Sequence, residues 1–425
     1  MQRLLRLTLL IALVPAAAQA QLRGHGGPVR ALAISADGKH AVSGSFDTTI
    51  IRWSLAVDAA EQVLRFHEGA VNAVVILSDG RIASAGEDRR IAIWSAGTDQ
   101  PASILQGHDA PITGLAVSPD GRELASASWD RSVRVWPVGS SGAPRVLTGH
   151  QDNVNAVAFL PDGRVVSAGY DATLRIWPRH DGQPIVVTLP SPLNSIAVAP
   201  DGEIVTAGAD GKVYFVTATG ERRGEAVAQS TPIIALAVSQ DGALFAAAGI
   251  RGSVAIINRS ARALARTLVG PGLPVWSVTF IPKTQMLLTG GADRVIRRWN
   301  ALTGEHIGSV ALNGVDDPLA AYAGDHGADV FRACVACHTL SSDAGNRAGP
   351  TLAGLFGRRI ASLPGYNFSA PLKKLDIVWT SETVAKLFEV GPATYTPGTK
   401  MPEQRISSAE DREALVKFLE KATKQ

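Results

Sequence analysis

Short runs in which apolar and polar residues alternate recur through the first three quarters of the chain, as in Val29-Arg-Ala-Leu-Ala-Ile34 and Val133-Arg-Val-Trp136. A period of two puts successive side chains on opposite faces, so these runs predict β-strands. A set of markers repeats with them. A turn Asp stands at Asp47, Asp88, Asp130, Asp171, Asp210 and Asp293, and Arg251 holds the slot in the sixth repeat, at gaps of 39 to 42 residues. Six residues later come Trp53, Trp94, Trp136, Trp177, Val216, Ile257 and Trp299. Four residues earlier come Ser43, Ser84, Ser126, Ser167, Thr206, Ala247 and Thr289. Asp-Gly turns such as Asp37-Gly38 and Asp120-Gly121 mark six of the seven units. One unit of about four short strands cannot bury its apolar face, whereas a closed ring of units can. The pattern therefore predicts an all-β, seven-bladed propeller over residues 21–312.

These markers resemble the WD-repeat family over residues 22–312. Its Gly-His pair stands at Gly24-His25, Gly107-His108 and Gly149-His150, and His67 holds the second slot without the glycine. The resemblance implies that each His bonds the turn Asp, the Ser and the Trp of its own blade, for example His108, Ser126, Asp130 and Trp136. Such sets tempt a catalytic reading, but catalysis needs one site, not four copies. Their role is read as structural. Blades five and six lack both His and Trp, which is read as drift in a tolerant repeat. Many propellers of this family close with an N-terminal strand. If residues 1–20 are a leader that is removed, only Gln21 to Arg23 precede the first Gly-His, so closure is expected from His306 to Leu312, without an exchanged N-terminal strand.

The strand pattern stops near Leu312. Residues 313–323, with Asp316-Asp317-Pro318, read as a linker, and a helical pattern runs from about Asp325 to Cys337. Within it stands Cys334-Val-Ala-Cys337-His338. A separation of three puts both thiols on one face of a helix, where they can add to the two vinyl groups of one haem while the next His reaches the iron. A thioredoxin-like pair or half a zinc site are the alternatives. The first does not require His338, and the second needs more cysteines than the two in the chain.

Residues 324–425 closely resemble the class I cytochromes c, an all-α family. The match rests on Gly349-Pro350-Thr351-Leu352-Ala-Gly354-Leu355-Phe356-Gly357-Arg358, which starts eleven residues after His338, and on Tyr395-Thr-Pro397-Gly398-Thr399-Lys400-Met401. The resemblance implies one covalently bound haem c on Cys334 and Cys337, with its iron held by His338 and Met401. It also implies that the Pro350 carbonyl accepts from His338, and that Arg358 and Trp379 lie near the propionates. Met401 is the sole thioether candidate in this domain. His326 precedes the haem segment and is expected to face solvent. Two departures stand out. Phe368 replaces the family's Tyr beside the propionates, and Leu387 or Phe388 stands where another Tyr is usual, with one extra residue before Pro392. Loss of that phenol predicts a Met–iron bond more labile than the family norm. Ser407 with Glu410 reads as a capping box opening a C-terminal helix, in which Leu415, Phe418, Leu419 and Ala422 recur at helical spacing; the resemblance implies that this helix crosses the first one near Gly327 and Phe331.

Composition narrows the context. The chain is 46% hydrophobic and 19% charged, which excludes a disordered protein. Residues 1–20 read as a signal peptide, with Arg3 and Arg6, an apolar Leu7 to Val14 and Ala18-Gln19-Ala20. Its removal, with those two arginines, takes the formal charge from +3 to +1, giving no electrostatic case for nucleic acid. No later stretch is long enough to span a membrane, so a periplasmic location is expected. The function expected is one-electron transfer, with no catalytic residue. The propeller would be a scaffold for docking redox partner proteins, whose donor and acceptor the sequence does not name. Lys373, Lys374, Lys386 and Lys400 either ring the haem edge for an acidic partner or are ordinary surface lysines diluted by Glu382 and Glu389. The alternatives are an oxidoreductase with a catalytic site on the propeller, or a haem-based redox or gas sensor.

Overall fold

A computed structural model describes residues 21–139, 142–270, 272–307, 319–335, 337–347, 349–402 and 404–424. The expected signal peptide lies outside them. Seven antiparallel sheets follow one another along the chain, and the first six have four strands each in chain order. The first comprises Val29–Ile34, His40–Ser45, Thr49–Ser54 and Ala59–Arg65. The leading strand of each blade packs on that of the next, and Val275–Phe280 returns to Val29–Ile34 to close the ring. Second strands such as Ile82–Gly86 and Val165–Gly169 are buried along their whole length. Neighbouring blades cover both of their faces, which explains their Ala, Ser and Gly content: small side chains let sheets approach.

Ring closure differs from the expectation. Gln21–Arg23 pairs antiparallel with the strand Val295–Asn300, with Leu22 opposite Ile296. His306–Ile307 pairs with the other half of that same strand, and the rest of the expected closing segment, residues 308–312, lies outside the described residues. The last blade is thus shared between the two ends of the propeller. Three residues suffice because Leu22 is buried in the core beside Val29, Ile51 and Ile296.

The repeated polar set forms in blades one to four. In the first, Trp53 Nε1 donates to Ser43 Oγ at 2.7 Å, Ser43 Oγ pairs with His25 Nε2 at 2.7 Å, and His25 Nδ1 meets Asp47 at 3.0 Å. No hydrogen bond is described between Trp and His directly, so the hydrogen-bonded chain runs Trp–Ser–His–Asp, while the His25 and Trp53 rings meet edge-on at 6.3 Å. Blades two, three and four repeat it around His67, His108 and His150. In the seventh, Trp299 donates to Thr289 at 3.0 Å. Blades five and six bury Val216 and Ile257 instead, the first in a cluster with Ile204 and Tyr214, the second in one with Phe215 and Phe245. Burial alone would raise the Asp47 carboxyl. The attraction and hydrogen bond of His25 and the bonds from Thr49 outweigh it and hold the group down at about 2.

Among the described residues, a 3-10 helix, Ala320–Tyr322, and five α-helices make the C-terminal domain: α1 His326–Phe331, α2 Ala370–Lys373, α3 Ser381–Val390, α4 Pro392–Tyr395 and α5 Ala409–Ala422. Helix α1 ends at Phe331, earlier than expected, and residues 332–335 and Cys337 are in turns. Ser408, not Ser407, caps α5, accepting from the Asp411 amide at 3.1 Å. A Cβ on Gly327 would lie 2.1 Å from the Ala414 carbonyl, so only glycine permits this crossing of α1 and α5. Leu319 and Tyr322, expected in the linker, belong to this core. Leu319 is buried, and the Tyr322 ring stands edge-on to Phe418 at 5.1 Å.

Asp47→Ala leaves His25 buried without its partner and should cost roughly 3–5 kcal/mol, read as a lower thermal transition of the propeller. A carboxyl held low stabilises the fold above its unfolded pKa of about 3.9 and loses that contribution as pH falls. The thermal transition should therefore drop between about pH 4 and pH 2, and the decline should be shallower in the variant.

Candidate haem site

Cys334, Cys337 and His338 ride the turns after α1. The Cys334 amide donates to the Phe331 carbonyl at 2.7 Å, and the His338 amide donates to that of Cys334 at 2.9 Å. Helical spacing thus persists past the regular helix, and both thiols line one cavity. That cavity has about 1330 Å³ of empty space, part of it open to solvent, and Phe331, Leu352, Leu355, Leu372 and Phe368 make much of its wall. The structure also brings His338, Met401, Pro350, Arg358 and Trp379 to this cavity.

His338 Nδ1 lies 2.7 Å from the Pro350 carbonyl oxygen. A carbonyl only accepts, so Nδ1 carries the proton and Nε2 keeps its lone pair free for a metal. Burial lowers the imidazole pKa, against the pull of the Pro350 bond. The 349–350 peptide packs tightly on the ring: a Cβ on Gly349 would lie 2.4 Å from the imidazole. The amide of Gly349 also donates to the Cys337 carbonyl at 2.8 Å, so the two motifs hold each other in register.

The two cysteines are not bonded to each other. Burial pushes both thiols up to about 12. A disulfide-exchanging pair needs a lowered pKa, so these thiols fit attachment to a flat apolar group and not exchange chemistry. Arg358 donates to the carbonyls of Ala353 at 2.9 Å and Thr351 at 3.1 Å, and burial lowers its pKa. The Trp379 amide donates to the Arg358 carbonyl at 3.0 Å. This pairing ties the two residues together on the cavity wall.

Some lining residues were not foreseen. Tyr366 lines the cavity with its ring 4.7 Å from Phe368, and burial pushes its phenol up to about 12. A phenol therefore stands two residues before the position where the resemblance missed one. Leu387 and Phe388 both line the wall. Gly24 and Val63 of the propeller line it too, and Cys337 is buried in one cluster with Leu22, Trp53 and Val63. His326 is exposed and pairs with Asp411 at 2.8 Å, away from the cavity. Lys400 pairs with Asp99 of the propeller and Lys386 with Glu389, so the four lysines do not form one free ring.

Residues 325–423 match the Cytochrome c family. Residues 17–54, 60–95, 99–137, 143–178, 183–216 and 262–300 match the WD domain, G-beta repeat family. Over 99 residues the chain is 41% identical to cytochrome c of Cochliobolus lunatus, covering 23% of this chain and 91% of that protein. The chain belongs to the WD-repeat family and, through its last domain, to the cytochrome c family. This cytochrome domain is also 41% identical over 99 residues to cytochrome c of Arabidopsis thaliana, covering 23% of this chain and 88% of that protein. It is 39% identical over 104 residues to cytochrome c type-1 of Ascaris suum, covering 24% and 89%. The WD matches skip the sixth blade, where Ala247, Arg251 and Ile257 replace the Ser, Asp and Trp markers. The cytochrome domain carries covalently bound haem c with its iron, and the residues fit: two thiols on one cavity, a neutral imidazole and a mainly apolar wall.

Gly349→Val drives a side chain into the His338 ring. Haem retained by the purified chain after denaturation should fall roughly tenfold or more, as when a metal ligand loses its supporting contacts.

Proposed function

We propose that this chain is an extracytoplasmic electron carrier whose haem iron is held by His338 and Met401, with the propeller as a protein-docking scaffold. One observation carries the ligand reading: the 2.7 Å bond to Pro350 leaves His338 Nε2 with a free lone pair in a cavity that Met401 also lines. Haem c supplies a one-electron ferric–ferrous couple when bound. The protein's part is to hold and insulate it. His338 is oriented before binding and offers a basic nitrogen, while Met401 offers a neutral thioether that favours the reduced iron. With both bound, no coordination position remains for a substrate, which favours carriage over catalysis. Arg358 and Tyr366 are among the polar groups on a mainly apolar wall. Cys334 and Cys337 anchor the group.

The residue 1–20 pattern and the cytochrome domain together support a periplasmic site. No helix among the described residues is long and apolar enough to cross a membrane. The propeller's support as scaffold is its family membership, and its His–Asp pairs are spent within the blades.

Potentiometric titration of the full chain should give a single one-electron step with one haem per chain. Met401→His should lower the midpoint by roughly 0.2 V, a fraction of the ~0.8 V that axial ligands span. Two haems per chain, or a midpoint unchanged in the variant, would contradict this reading.

A further inference from the structure

We infer that the propeller is a lock on the methionine loop, and that Arg65 is a positioning residue for Met401. The inference rests on Met401 being the sixth ligand. Three polar contacts carry it. Arg65, at the end of the strand Ala59–Arg65, donates from Nη2 to the Met401 carbonyl at 2.5 Å. Lys400 Nζ donates to the Asp99 carboxylate. Gln404 Nε2 donates to the Gly24 carbonyl at 2.9 Å. Apart from the local bond of the Met401 amide to Thr399 Oγ1 at 3.1 Å, the hydrogen bonds described for residues 400, 401 and 404 all reach the propeller.

The consequence follows from the weakness of a thioether as a ligand. It is neutral and competes with any stronger donor that enters, so its hold on iron depends on how firmly the loop presents it. Here the loop is tied on both sides of the sulfur-bearing residue to a rigid β-scaffold. The cytochromes c named above align with about the last quarter of this chain, and Gly24, Arg65 and Asp99 lie outside that stretch, so the tie belongs to the fusion and not to the cytochrome domain alone. It opposes the lability expected from the missing phenol near Leu387 and Phe388. The coupling is reciprocal: whatever displaces the rim at Arg65 and Asp99 weakens the ligand, and loss of the ligand loosens the rim.

The test uses full-length ferric protein and imidazole as the competing ligand, following the sulfur-to-iron absorption band. Arg65→Ala removes a charged hydrogen bond, so imidazole should displace the sulfur about tenfold more readily than in the wild type. Arg65→Lys should recover part of that. Asp99→Asn lies on a partly exposed side chain and should fold normally, and it gives a smaller increase. Salt should raise displacement in the wild type and less so in Asp99→Asn, because ions screen the Lys400–Asp99 pair. Wild-type displacement curves in both Arg65→Ala and Asp99→Asn would overturn the lock while leaving Met401 as ligand. Absence of the band from the wild type would instead overturn the Met401 ligation and the lock with it.

Discussion

The bond from His338 Nδ1 to the Pro350 carbonyl is the constraint on which the functional site turns. It fixes a tautomer, and with it the nitrogen that faces the cavity. It also joins two segments that lie apart in the sequence, with Gly349 pressed against the ring because nothing larger fits. From that junction the rest of the site is placed. The Cys334 and Cys337 turn lies on one side of it, the Arg358 and Trp379 pairing follows from the same loop, and the α1–α5 crossing at Gly327 holds the turn against the helical core.

The propeller is part of this site and not a neighbour of it. Leu22, in the strand that closes the ring, shares a buried cluster with Cys337. Gly24, two residues on, both lines the haem cavity and accepts from Gln404. Closure of the β-ring and closure of the haem cavity therefore use the same few residues at the start of the described chain. The degenerate fifth and sixth blades make none of the described polar contacts to the methionine loop, which come from Gly24, Arg65 and Asp99. Their loss of His and Trp is met internally, by Val216, Ile257, Phe215 and Phe245.

Local and periodic features were legible in the sequence. The blade count followed from Asp and Trp markers because each is a short-range turn or strand device, repeated around the ring. The haem segment was legible because attachment chemistry demands a fixed spacing. What escaped was long-range. Gln21–Arg23 is too short to show any period, and its pairing with Val295–Asn300 depends on the ring being formed. Tyr366 was passed over because the family's phenol is sought at the position of Phe368, while the loop brings a ring from two residues away. The cap at Ser408 differs by one residue from Ser407 since both serines precede acidic residues. Lys400 read either as part of a basic ring at the haem edge or as an ordinary surface lysine, and only the docking of the two domains sets it against Asp99. Arg65 carried no motif at all.

Iron-edge X-ray absorption on the purified full-length protein, produced where haem is attached, reports directly on the atoms around the metal. One sulfur scatterer beside nitrogen neighbours, present in both oxidation states, is the result required if His338 and Met401 share the iron within this cavity. A nitrogen-only or five-coordinate environment would contradict it.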